Sequence, residues 1–204
     1  AYSLMHDDLP CMDDADLRRG RPATHKVHGE AMTMRAGAAM IPAAALQALE
    51  ACGDLGCSDD QSRGVVLELL AAAGAAGMVG GQWLDLRGEG RHLEGPELDR
   101  LHRLKTGALL TAPLVMGAIA QGAEHETTGA LRAYGGAVGL AFQIVDDLLD
   151  VEGTEEATGK KVGKAASLGK ATFVALLGPE RARTQATMLR SEEHTSELQS
   201  RPHI

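Results

Sequence analysis

Two runs of carboxylates carry the strongest chemical signal in this chain: Asp7-Asp8-Leu9-Pro10-Cys11-Met12-Asp13-Asp14 and Asp146-Asp147-Leu148-Leu149-Asp150. In the second run, Asp146 and Asp150 are four residues apart, so a helix puts them on one face with Asp147 at its edge. The first run has no single helical face. Pro10 breaks the helix there, and Asp13 is expected to swing back towards Asp7 from the turn. Both runs follow apolar helical sequence, so the carboxylates gather at helix C-termini, where the backbone dipole is already negative. Crowding of that kind calls for cations. A few hard oxygen ligands suit magnesium, which keeps waters and is completed by phosphate oxygens. A calcium loop fits poorly, because its glycine and terminal glutamate are missing. A solvated acidic helix end would explain one Asp pair, but it explains two clusters poorly.

Basic residues supply the complement. Arg18 and Arg19 follow the first cluster, Lys105 and Thr106 lie mid-chain, and Lys160 and Lys170 flank a glycine-rich segment. Carboxylate-held magnesium with arginine and lysine is what a diphosphate needs to become a leaving group. Lys161 and Lys164 read as ordinary surface charge.

The elements that position these residues read as helices. Hydrophobic residues make up 44% and aromatics only 2%, and alanine and leucine favour helix over strand. The pattern predicts a short helix to about Leu9, then a charged loop over Asp13–Gly29. A helix over Glu30–Ala51, kinked near Pro42, and another over Asp59–Leu84 follow. Beyond the loop Arg87–Gly95, Pro96 opens a helix to about Gln121. A further helix covers Glu126–Val151. Glu152–Gly169 reads as a loop, and Lys170–Leu177 and Glu180–Leu189 close the map. Segments such as Ala36–Leu49 and Leu109–Ala120 are apolar nearly all round, as expected of helices surrounded by others. No solenoid repeat is present.

A net charge of −8 without a basic stripe argues against a nucleic-acid surface. Cys11, Cys52 and Cys57 fit neither a disulfide framework nor a zinc site, and point to a reducing, cytoplasmic setting. No membrane span or signal peptide is expected. The chain opens at Ala1 as if already inside a helix. Arg190–Ser200 reads RSEEHTSELQS, like the translated frame of a sequencing-library adapter. Residues 190–204 are therefore expected to be an artefact tail on a domain over 1–189 that is cut at both ends.

The string YSLMHDDLPCMDDADLRRG resembles the first aspartate-rich motif of the trans-isoprenyl diphosphate synthases, and GLAFQIVDDLLD resembles the second. GGQWLDL, HRLKTGALL and GKATFVALLG resemble further family segments in the right order, so the resemblance covers nearly all of 1–189. It implies an all-α antiparallel bundle of the isoprenoid synthase type, usually a homodimer. The implied reaction is magnesium-dependent head-to-tail condensation of isopentenyl diphosphate with an allylic diphosphate such as dimethylallyl or geranyl diphosphate.

Carried over, Asp7, Asp8, Asp13, Asp146, Asp147 and Asp150 would be direct or water-bridged metal ligands. Arg18, Lys105, Thr106, Gln143 and Lys160 would hold the allylic diphosphate, with Lys170 nearby, and Arg19 would face isopentenyl diphosphate. Tyr2, five positions before Asp7, would floor the elongation pocket and set a farnesyl product, with geranyl and geranylgeranyl as alternatives.

The chain departs from the family at Gly37-Ala38-Ala39-Met40, Ala165 and Phe173-Val174, where the family often carries Gly-Asp-Ala-Leu, an aspartate and Tyr-Pro. Its isopentenyl site also uses a Gly-Lys segment, an arginine and a histidine that would precede Ala1, so the chain as given is expected to be nearly inactive. A terpene cyclase shares the first cluster but normally lacks the Arg pair and the second motif. A silent subunit of a heteromeric synthase would have lost aspartates that this chain keeps.

Overall fold

The computed structural model describes residues 1–91, 93–153 and 171–199. It is a bundle of helices: α1 (Tyr2–Asp7), α2 (Thr24–His28), α3 (Glu30–Asp54), α4 (Asp59–Ala73), α5 (Met78–Gly88), α6 (Gly95–His102), a π-helical turn (Arg103–Gly107), α7 (Ala108–Ala120), α8 (His125–Glu152), α9 (Phe173–Leu177) and α10 (Pro179–Gln199). The all-α expectation holds.

Local chemistry explains many boundaries. Ser58 caps α4 reciprocally with Gln61: the Gln61 N–H donates to Ser58 Oγ, and the Ser58 N–H donates to Gln61 Oε1. Glu94 and Glu97 do the same for α6, with Pro96 in its first turn. At the end of α3, Gly56 takes φ +70 and the helix closes in a Schellman turn.

Three features differ from the sequence map. The expected loop Asp13–Gly29 contains α2 and an antiparallel hairpin pairing Leu17 with Pro22 and Arg18 with Arg21. Arg19 and Gly20, at φ 53 and 74, form its two-residue turn. Strands this short leave no readable periodicity. The expected single helix Asp59–Leu84 is broken between Ala73 and Met78. There a Cβ on Gly77 would sit 2.2 Å from the Ala72 carbonyl oxygen, so the tight reversal requires glycine. As one stretch, Asp59–Gly88 is long and apolar enough by composition to cross a membrane, at mean hydropathy 1.6. In the fold α4 packs on α7 instead. Third, α10 runs on without a break from Pro179 to Gln199.

Among the described residues two cores hold the bundle. Leu98, Leu101, Leu140, Ile144, Phe173 and Ala182 join α6, α8, α9 and α10. Tyr2, Ala73 and Met78 form the other, flanked by Met40, Ile41 and Leu109. Helices α7 and α8 approach closely through glycine: a Cβ on Gly135 would lie 2.8 Å from Thr111, and one on Gly139 would lie 2.6 Å from Gly107 Cα. That approach fixes how the π turn sits against the second acidic run.

Candidate active site

α1 ends at Asp7, and the chain folds back on it as expected. The Asp13 N–H donates to the Asp7 carbonyl at 2.8 Å, the Asp14 N–H to Leu9 at 3.1 Å, and the Ala15 N–H to Asp8 at 3.2 Å. Asp14 takes φ 43 to make this turn, a conformation that Asp tolerates better than most residues. The carboxylates of Asp7, Asp8 and Asp13 all act on one cation, Arg18, whose pKa they raise, the Asp8 hydrogen bonds most of all.

The Asp8 carboxylate is buried and accepts the Arg18 guanidinium in bidentate fashion, with Nε 3.1 and 3.2 Å from its two oxygens. The first strand of the hairpin, Leu17–Arg18, delivers Arg18 to it. Arg19 sits exposed at the hairpin tip.

Asp7 is held from the other side. Gln82 Nε2 donates to Asp7 Oδ1 at 3.0 Å, and Lys105 Nζ lies 3.7 Å from the same oxygen. Lys105 also donates to Asp85 Oδ2 at 2.6 Å. Gln82 and Asp85 join the site through these contacts, and the sequence by itself did not single them out. Their signal was available: two polar residues three apart on an otherwise apolar helix point the same way. Gly81 explains how Lys105 arrives, since a Cβ there would lie 2.2 Å from the Lys105 backbone nitrogen. The expected helix from Pro96 is interrupted here by the π turn, a feature that often marks functional positions.

Thr106, the next residue, faces the second cluster. Its hydroxyl donates to Gln143 Oε1 at 3.0 Å, and Gln143 Nε2 donates to Asp147 Oδ1 at 2.9 Å. Asp147 Oδ2 accepts the Phe173 backbone N–H at 2.8 Å. Burial pushes the Asp147 carboxyl up to about 6, against the two hydrogen bonds that favour its charge; Asp146 and Asp150 raise it further. Asp146 is half-buried and Asp150 buried. Beside them His102 is buried, tilted against the Phe173 ring at 5.3 Å, and among the described residues neither ring nitrogen has a hydrogen-bond partner. Burial lowers its pKa to about 4.

The structure thus brings together Asp7, Asp8, Asp13, Arg18 and Lys105 on one side, and Thr106, Gln143 and Asp147 on the other. Lys160 and Lys170 lie outside the described residues. Tyr2, the first residue of α1, is buried, and its hydroxyl donates to the Ala73 carbonyl at 2.7 Å. Among the described residues no three acidic, His or Cys side chains converge into a closed metal cage. An all-carboxylate donor set without a cage fits magnesium, whose shell is shared with water and phosphate oxygens. A cavity of about 300 Å³ lined by Glu68, Arg103, Thr111 and Arg132 contains neither cluster.

A helical bundle that brings two aspartate-rich runs to one lysine–threonine pair defines a class of protein. The polyprenyl synthetase family model matches residues 1–200, and the chain belongs to that family. It is 46% identical over 187 residues to the farnesyl diphosphate synthase of Escherichia coli (strain K12), covering 91% of this chain and 62% of that protein. It is 45% identical over 193 residues to a chloroplastic geranylgeranyl pyrophosphate synthase of Arabidopsis thaliana, covering 93% and 54%. A crystal structure of a geranyltransferase from Helicobacter pylori, complexed with magnesium and isoprenyl diphosphate, superposes with a TM-score of 0.81 at 36% identity, covering 94% of this chain and 62% of that one. The chain spans a little over half of the length of the relatives it matches.

Proposed function

We propose that this chain carries the metal- and allylic-diphosphate-binding part of a prenyltransferase that condenses isopentenyl diphosphate with an allylic diphosphate. One observation carries the reading: consecutive residues Lys105 and Thr106 reach the two acidic clusters, Lys105 towards Asp7 and Thr106 through Gln143 to Asp147. A diphosphate seated between the clusters would meet Lys105 directly. Asp7, Asp13, Asp146 and Asp150 are the carboxylates proposed to hold magnesium, with Asp8 and Asp147 orienting Arg18 and Gln143. Bound there, magnesium would neutralise the charge that builds on the departing diphosphate. Asp85 holds the Lys105 ammonium in place through their 2.6 Å hydrogen bond. Arg19, on the exposed hairpin tip, is the residue proposed to face isopentenyl diphosphate, and Lys160 and Lys170 are proposed further diphosphate contacts.

The product we propose is farnesyl diphosphate. Tyr2 lies more than a turn below Asp7, and its ring, packed with Ala73 and Met78, would stop a growing hydrocarbon tail. A geranylgeranyl product is the second reading, favoured by the plant relative, and a geranyl product is the remaining alternative. A homodimer is proposed as well, since α3 and α4 expose Leu46, Leu49, Leu67 and Leu70, apolar surface of a kind that marks an interface.

The test is turnover of isopentenyl and geranyl diphosphates with magnesium, measured on the chain extended to the length of its relatives. Asp7→Ala and Asp146→Ala should each lower kcat by roughly 100-fold or more with the fold intact. Near-normal turnover in both variants would reject the two-cluster site. Release of diphosphate without condensation would point instead to a cyclase, and absence of turnover with intact binding to a silent subunit.

A further inference from the structure

The turn between α3 and α4 holds a feature that the acidic site does not use. α3 ends in a Schellman motif: the Gly56 N–H donates to the Gly53 carbonyl at 3.0 Å and the Cys57 N–H to the Cys52 carbonyl at 2.9 Å. This motif brings the side chain two positions beyond the cap against the one three positions inside the helix, normally as an apolar contact. Here both positions are cysteine. The thiols of Cys52 and Cys57 interact directly, and Cys57 Sγ also donates to the Ala120 carbonyl at 3.6 Å, at the end of α7. Both are free thiols, Cys52 buried and Cys57 half-exposed.

We propose that Cys52 and Cys57 form an oxidative modification site, closing to an intrachain disulfide when the protein meets a peroxide. The 2.9 Å backbone bond holds the two residues side by side, and their side chains already interact, which is the proximity a disulfide needs. Cys57 is the outer sulfur and meets the oxidant. Its thiolate attacks one peroxide oxygen, giving a sulfenic acid and water once hydroxide takes up a proton. Cys52 then attacks that sulfur from within and displaces a second water. Overall, two thiols and one hydrogen peroxide give one disulfide and two waters, with both electrons passing to the peroxide. Desolvation and the neighbouring Cys52 raise the Cys57 thiol above its ordinary range, which makes the first step slow at neutral pH and faster as pH rises. Cys11 is exposed and lies far along the chain, so it serves as an internal control.

The experiment exposes the folded chain to hydrogen peroxide, blocks remaining thiols and digests with trypsin without reduction. The peptide from Ala36 to Arg63 contains both cysteines of the pair and excludes Cys11. It should become lighter by two hydrogens, reversibly with dithiothreitol, and do so about tenfold or more faster at about pH 9 than at about pH 7, as the Cys57 thiolate forms. In Cys52→Ala, Cys57 should instead accumulate as a sulfenic acid trapped by dimedone. A rate that does not change with pH, or a wild-type peptide that gains oxygen without losing two hydrogens, would overturn the proposal.

Discussion

The Asp147 carboxylate accepts the Phe173 backbone N–H at 2.8 Å, tying the second acidic cluster to the first residue of α9. Gln143 takes the other carboxylate oxygen, so both are committed within the protein. This explains why Asp147, though part of the acidic run, is placed to orient its neighbours. The tie also brings the Phe173 ring against His102, where the family often has tyrosine.

Burial of Asp147 has a pH signature. Its pKa is raised from 3.8 to about 6, so the folded state binds the proton more tightly than the unfolded one. Its contribution to stability is therefore full below the unfolded value and falls as pH rises towards about 6. Asp147→Asn removes that penalty. Thermal melts of the variant should show a gain on the order of 1–3 kcal/mol at about pH 8 that shrinks towards about pH 4.5. A gain of equal size at both pH values would contradict the assignment.

His102 works in the opposite sense. Its pKa is lowered from 6.5 to about 4, so the unfolded state binds the proton more tightly. Stability from the neutral ring is full above 6.5 and is lost as pH falls towards about 4. His102→Phe fills the space without a titrating group. Its melting temperature should exceed that of wild type at about pH 5, with the difference narrowing by about pH 8. A pH-independent difference would mean that packing alone is involved.

Gly81 sets the position of Lys105. A methyl group there would overlap the Lys105 backbone, 2.2 Å from its nitrogen and 2.4 Å from Cα, and backbone cannot yield as a flexible side chain can. Gly81→Ala should cost about 1–3 kcal/mol in urea denaturation. It should also weaken magnesium-dependent diphosphate binding, whereas Gly53→Ala, where a Cβ meets nothing within 4 Å, should not.

Tyr2 has two separable parts. Its hydroxyl satisfies the Ala73 carbonyl where α4 stops, and burial pushes its pKa up to about 12. Tyr2→Phe leaves that carbonyl unpaired and should cost about 1–2 kcal/mol in stability with product length unchanged. Tyr2→Ala removes the ring, and chromatography of dephosphorylated products should show longer chains. An unchanged distribution would leave Tyr2 as core packing only.

Much of this protein is written locally. Alanine and leucine content set the helical class, and Pro96 marked a helix start because the first turn has no use for its missing N–H. The carboxylates of Asp7, Asp13, Asp146 and Asp150 were legible because their chemistry depends on type and spacing, and Pro10 was enough to predict that Asp13 would fold back. What only the tertiary structure decided were contacts between distant segments. Gln82 and Asp85 reach Asp7 and Lys105 across helices, and Tyr2 reaches Ala73 over a separation of 71 residues. The π turn at Arg103–Gly107 has no sequence signature of its own. It coincides with the places where Gly81 and Gly139 let two neighbouring helices close onto it. Side-chain type and short-range spacing act through the local backbone, whereas these contacts exist only after the helices have packed.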